Sequence, residues 1–351
     1  MTRPTKIAII AFGVLIVVAV ILGTRGPMFK LPGLAPRSSG GSPSNLPVLA
    51  DHMPDFAGIS RWWNTPDDQP LTPVGLKGKV VLVDFWTYSC INCLRTLPFV
   101  KSLYAKYSGS GLVIVGVHTP EFAFEGDPIN VDHAIKQNGI EYPVALDAQY
   151  GTWNAYNNEY WPAEYLFDAQ GRLRRTNFGE GDYDGTEIAV RSLLAEASKA
   201  VLPAEGVVAP SSDFPDIGTG ETYFGLDRGA AFMGTAGAAG EDVTLTAAPA
   251  PSANRWTAGG VWRFEDQYVE TAASNDVFRF SVQADKLHLV LSSSDGADKT
   301  IDVFVDGQAA GSVTVSAPQL YTVATFPAGG RHTVEIRARD AGVRFYSATF
   351  S

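Results

Sequence analysis

The stretch "KVVLVDFWTYSCINCLRTLP", Lys79 to Pro98, decides how the chain is read. Its first part, Lys79 to Trp86, is a nearly continuous apolar run, as expected of a strand buried on both faces. Its second part holds both cysteines of the 351-residue chain, Cys90 and Cys93, two residues apart. Leu94, Leu97, Leu103, Tyr104 and Tyr107 fall near helical spacing and predict a helix from Cys93 to Tyr107, with Pro98 as a kink. Cys90 then lies just past a strand and at the start of a helix. Unpaired backbone N–H groups and the helix dipole favour a thiolate there. Cys93, one turn further on, is placed to attack a mixed disulfide and release a reduced product.

Other uses of the pair fit less well. Structural zinc needs four ligands. The chain has no third cysteine, and His52, His118, His133, His288 and His332 lack close paired spacing. No metal is expected. A staple closing so small a loop would constrain the unfolded chain little. Redox chemistry is the favoured reading, with a Cys90–Cys93 disulfide and no other cofactor.

Outward from this stretch, residues 51–200 alternate strand and helix. Strands are expected at Leu112–Val117, Pro143–Leu146, Glu164–Phe167 and Arg172–Phe178. Helices are expected at Ile129–Gln137, ended by Asn138-Gly139, and from a Thr186 cap to Ala200. The pattern is that of an α/β domain. Residues 201–222 read as a Pro-, Gly- and Ser-rich linker. Beyond it the period becomes two, in "KLHLVLSS", "TIDVFVDG", "SVTVSA", "LYTVATF", "HTVEIRA" and "VRFYSATF". Short strands separated by turns such as Asp306-Gly307 predict an all-β jelly roll or β-sandwich over 223–351.

At the other end, Ile7 to Thr24 carries no charge between Lys6 and Arg25. A helix of this length spans about 27 Å, close to the hydrocarbon thickness. Residues 1–25 are read as an uncleaved signal anchor and transmembrane helix, in preference to a cleaved signal peptide. Residues 26–50 are read as a flexible tether. The net charge of −10 argues against a nucleic-acid partner. Two cysteines only suit a compartment where a spare thiol would form wrong disulfides, so the domains are expected outside the cytoplasm at the cell membrane.

Specific motifs carry a resemblance. Asp84-Phe85-Trp86, three residues, then Cys90 resembles the thioredoxin active-site segment. Ser89 stands where a tryptophan is usual, and Ile91-Asn92 replace Gly-Pro. "WPAEYLFD", Trp161 to Asp168, resembles the thioredoxin cis-proline segment, with Pro162 as the candidate. "VDHAIKQNGIEYPVALD" is similar to the extra helix and strand of TlpA/ResA-type reductases. "GVHTPEFAFE", "GETYFG" and "GGVWRFEDQYVE" extend the likeness, over about Pro47 to Ser351, to the C-terminal periplasmic part of DipZ-type proteins. That part pairs a thioredoxin-like α/β domain with a β-sandwich similar to carbohydrate-binding modules.

The resemblance implies a thiol–disulfide oxidoreductase that reduces disulfides of envelope proteins. It implies Cys90 as nucleophile, Cys93 as resolving thiol, Asp84 as proton acceptor and Pro162 as the backbone support for substrate. Trp86, Ser89 and Trp161 would assist. DipZ proteins carry a multi-helix CcdA-like electron conduit, so electrons here are expected from a separate CcdA-like donor. Glu121, Glu125 and Glu164 are read either as tuning the dithiol or as solvated acids.

Two further readings compete. Trp256, Trp262, Glu265 and Asp266 concentrate aromatic and acidic groups, which could form a carbohydrate-binding patch or simply a core with surface charges. An envelope glycan-binding protein with an accessory redox domain is therefore the main alternative. Thr87 and Cys90 share a T-x-x-C spacing with thiol peroxidases, but Val83 stands where those have a proline.

Overall fold

A computed structural model describes residues 46–198, 201–208, 217–326 and 330–351, all within one compact unit, Ser42–Ser351. The expected anchor over 1–25 and nearly all of the tether lie outside the described residues, as does 209–216 of the linker. Among the described residues no helix is long and apolar enough to cross a membrane.

The first domain is built on a six-stranded sheet. In chain order its elements are β1 (Arg61–Trp63), β2 (Val80–Trp86), α1 (Ile91–Tyr107), β3 (Leu112–His118), α2 (Pro128–Gln137), β4 (Val144–Leu146), α3 (Gly151–Ala155), β5 (Ala163–Phe167), β6 (Leu173–Phe178) and α4 (Tyr183–Ala197). The strand order is β1-β4-β3-β2-β5-β6. β2 and β3 pair in parallel, and β5 runs antiparallel to β2.

Every residue of β2 is buried, and alternate side chains serve opposite faces. Val80, Leu82 and Trp86 join the core under α1, α2 and α4, with Phe99, Leu103, Ile135 and Leu193. Val81, Val83 and Phe85 join a second core with Tyr156, Tyr165 and Phe167. Asp84 shares the parity of the first set, so it faces the side that α1 and Cys93 cover.

Helix ends depart from the sequence reading in two places. α1 begins at Ile91 with Cys90 as its N-cap, two residues ahead of the expected start. α4 begins at Tyr183 and contains Thr186, whose hydroxyl serves Glu164 instead of capping the helix. The three-residue β1 and five-residue α3 are too short to show a period and were not expected.

The second domain is all β: β7 (Thr222–Tyr223), β8 (Asp242–Leu245), β9 (Trp256–Phe264), β10 (Val269–Thr271), β11 (Val277–Val282), β12 (Lys286–Ser293), β13 (Lys299–Val305), β14 (Gln308–Val315), β15 (Gln319–Thr325), β16 (His332–Ala338) and β17 (Val343–Phe350). One strand, β9, belongs to both halves of its sheet. Trp256–Gly259 pair with β11, and Trp262–Phe264 pair with β10. The turn-over falls at Gly260, with φ +98°, where a Cβ would lie 2.0 Å from an Asp276 oxygen. Only glycine fits that corner. Both halves feed one core, where Phe278 stacks on Phe345 at 5.2 Å between ring centroids. The Asp306-Gly307 hairpin forms as the sequence implies, with φ of +50° and +79°.

Candidate active site

The chain leaves β2 at Trp86, turns through Thr87, Tyr88 and Ser89, and enters α1 at Cys90. Cys90 Sγ accepts the Cys93 backbone N–H at 3.3 Å. This is the contact an N-cap makes, here with sulfur as the acceptor. Both cysteines are free thiols; Cys90 is half-buried and Cys93 is 2% exposed. Burial pushes the Cys93 thiol well up, and the neighbouring Cys90 adds to the shift. The outer sulfur is therefore the accessible one and the inner sulfur keeps its proton.

Pro162 lies where its motif implies. The Trp161–Pro162 peptide is cis, and Cys90 Sγ is 4.0 Å from the Trp161 carbonyl oxygen. The loop is fixed on both sides. The Trp161 indole N–H donates to the Thr119 carbonyl at 3.1 Å, and its ring packs on Trp153 at 4.1 Å. The Pro162 carbonyl accepts the Gly179 N–H at 2.8 Å.

Asp84 is 2% exposed, and one of its carboxylate oxygens has no hydrogen-bond partner. Burial holds its carboxyl well above the ordinary carboxylate range, and nearby Glu164 adds to this. The two acids face each other across the β2–β5 ladder. Glu164 is also buried, which pushes it up to about 7, although the Thr186 hydroxyl donates to it at 3.0 Å. Asp84 also acts electrostatically on Cys93. A protonatable carboxyl thus stands beneath the inner sulfur.

Ser89 is buried, and Glu125 occupies its surroundings. One Glu125 oxygen accepts the Ser89 hydroxyl at 2.6 Å and the Ser89 N–H at 3.3 Å. The other accepts the backbone N–H of Glu121 at 2.6 Å and of Phe122 at 2.9 Å. Burial pushes Glu125 up, and these donors pull it back. Trp86 is core, edge-on to His118 at 5.0 Å. Burial lowers His118 to about 3, so its ring is neutral. The Thr87 hydroxyl lies 3.3 Å from His118 Nε2 inside this core.

The structure thus gathers Cys90, Cys93, Asp84, Pro162, Trp86, Ser89 and Trp161, and adds Glu125 and Glu164. Of the three acids weighed in the sequence, Glu121 turns away to Arg228, at 2.8 Å, and the Tyr223 hydroxyl, at 2.7 Å. The pairing of Glu164 with Asp84 depends on strand register, and that of Glu125 with Ser89 on a contact 36 residues apart in sequence. Neither leaves a local signal.

Of the two readings of Trp256, Trp262, Glu265 and Asp266, the structure gives the core with surface charges. Trp256 and Trp262 are 1% and 0% exposed and lie in the β-domain core. Their indoles donate to the Ala230 carbonyl at 2.8 Å and the Gly259 carbonyl at 3.0 Å. Stacking on a sugar needs an open aromatic face, and neither ring offers one. Glu265 pairs through its backbone with Tyr268, and Asp266 is exposed. Among the described residues no three His, Cys, Asp or Glu side chains gather as metal ligands would.

Comparison with known proteins fits this geometry. Residues 49–191 match the Redoxin family, and residues 219–351 match the family described as a thioredoxin-like C-terminal domain. Protein DipZ of Mycobacterium tuberculosis is 38% identical over 303 residues, which is 85% of this chain. The same holds for Protein DipZ of Mycobacterium bovis. The chain spans only 42% of the length of these relatives. Thiol-disulfide oxidoreductase YkuV of Bacillus subtilis is 32% identical, and the match covers 42% of this chain and 97% of YkuV. Among solved structures, a thioredoxin-like protein in its oxidised form is 32% identical, with a TM-score of 0.38, covering 42% of this chain and 97% of its own.

Proposed function

The chain belongs to the thioredoxin-like thiol–disulfide oxidoreductase family, and from that premise we propose that it reduces disulfides of envelope proteins through Cys90 and Cys93. The thiolate of Cys90 attacks one sulfur of the substrate disulfide. A mixed disulfide forms and one substrate thiolate leaves. Cys93 then gives its proton to Asp84 and attacks Cys90 Sγ, releasing the second substrate thiolate. The two electrons leave with the substrate, and the chain is left as the Cys90–Cys93 disulfide. A separate membrane dithiol donor of CcdA-like type restores the thiols.

One observation carries this reading. Cys90 Sγ caps α1, takes the Cys93 N–H at 3.3 Å and lies 4.0 Å from the carbonyl before cis-Pro162. An accessible sulfur, a second sulfur and a backbone acceptor in one small space support attack by Cys90 and resolution by Cys93. A substrate chain laid along Trp161–Pro162 would hydrogen-bond to that backbone as in strand addition. The uncharged Ile7–Thr24 stretch supports a membrane tether and an extracytoplasmic location. Reduction of insulin disulfides with dithiothreitol as donor tests the activity. The parent accelerates precipitation of the insulin B chain, and Cys90→Ser abolishes the acceleration. Equal rates for the two proteins would refute the assignment.

A further inference from the structure

The segment from Thr119 to Gly126 touches three things at once. It holds the nucleophile loop, because Glu125 accepts from both the hydroxyl and the N–H of Ser89, the residue before Cys90. It holds the cis-proline loop, because the Thr119 carbonyl accepts from the Trp161 indole. Its outer side is held by the β-domain. Phe122 and Phe124 pack on Tyr346 at 5.3 Å and 4.8 Å, in a small apolar cluster with Val290. The Ala123 N–H donates to the Gln267 side chain at 2.9 Å. Arg228 pairs with Glu121 at 2.8 Å and lies 3.5 Å over the Tyr223 ring. A second meeting of the domains forms a groove of about 240 Å³, lined by Tyr88, Ile129 and His133 on one side and Ala317, Pro318 and Gln319 on the other. Tyr88 is two residues from Cys90.

We propose that the β-domain is a working part of the redox site: it clamps residues 119–126 so that Glu125, a positioning residue, fixes Ser89 and hence the place of Cys90. The inference rests on Cys90 being the attacking sulfur. The Ser89 hydroxyl and the N–H groups of Ser89, Glu121 and Phe122 all donate to the Glu125 carboxylate. A group so surrounded fixes geometry at both of its oxygens. Its own segment has no regular structure beyond one 3₁₀ turn, Ala123–Gly126, and relies on the β-domain for its outer packing. A sulfur displaced from the start of α1 loses the N–H that favours its thiolate, so loosening the clamp slows Cys90 without touching it.

The test uses the full chain and four variants: Gln267→Ala, Gln267→Ala with Arg228→Ala, Glu125→Ala and Glu125→Gln. Three quantities are read: iodoacetamide alkylation of Cys90, the dithiol–disulfide equilibrium against glutathione, and thermal unfolding. The double interface variant is expected to unfold like the parent yet alkylate about tenfold more slowly, as a thiolate less favoured by about one pKa unit would, and shift its glutathione equilibrium. Glu125→Ala is expected to lose more, and Glu125→Gln, which keeps the shape but turns an amide N–H toward groups that themselves donate, to restore the rate only in part. Gln267→Ala removes one surface hydrogen bond and keeps the test alive should the double variant unfold. Interface variants that fold and match the parent in rate and equilibrium would overturn the proposal. Alkylation and equilibrium are read on Cys90 itself, so a parent inactive on insulin would refute the proposed reduction and leave this result readable.

Discussion

Asp84 is 2% exposed in the core beneath α1, and one of its carboxylate oxygens has no hydrogen-bond partner. An unpaired carboxylate in an apolar core is costly, so the group takes up a proton readily. Its free oxygen has no structural partner to satisfy, unlike that of Asp168, which accepts from the Arg172 and Arg174 guanidinium groups and two backbone N–H groups. Asp84 is thus suited to take the Cys93 proton at the resolving step. Asp84→Asn should slow release of product from a preformed mixed disulfide about tenfold or more, and leave its formation nearly unchanged. Stopped-flow measurement of the two steps separates them. Equal slowing of both would assign Asp84 a purely structural role. Cys90, Cys93 and Pro162 were legible because their chemistry is written in adjacent residues. The directions of Trp256 and Trp262 were not, because composition counts aromatic rings without saying which way they face.

At the level of elements, β2 was readable because both its faces are buried, which makes the apolar run unbroken. α1 was readable from its apolar spacing. What the sequence could not provide was register between strands. The pairing of β2 with β5 sets Asp84 opposite Glu164, two buried acids on neighbouring strands. Their cost is measurable. The Glu164 carboxyl, raised from 4.5 to about 7, keeps its proton in the folded chain where the unfolded chain has lost it. The folded state binds more protons at this group over that range, so the Glu164 contribution to stability falls as pH rises from about 4.5 to about 7 and then levels off. Glu164→Gln should flatten this slope and be the more stable protein above it, by up to about 3 kcal/mol. Urea unfolding of parent and variant at about pH 5 and about pH 8 checks the sign. A variant whose stability falls with pH as steeply as the parent's would contradict the raised carboxyl.

Across the whole molecule, two domains that the sequence separates by a linker meet at the redox site. The period change after Ala200 announced a second domain, and β12 to β17 fell close to their expected places, whereas β7 to β11 had no expected counterpart. Nothing local announced where it docks, because Phe122, Phe124 and Tyr346 read as ordinary core aromatics until the fold brings them together. The β-domain packs on Phe122 and Phe124 and shares a groove with Tyr88, two residues from Cys90. The central claim is that Cys90 attacks and Cys93 resolves. Trapping tests it most directly. The full chain carrying Cys93→Ser, reduced and then mixed with a disulfide-bonded protein, should accumulate a one-to-one covalent complex through Cys90 that dithiothreitol dissolves. The chain carrying Cys90→Ser should accumulate none. A complex that forms equally with Cys90→Ser, or none with Cys93→Ser while the parent reduces the same protein, would contradict the account.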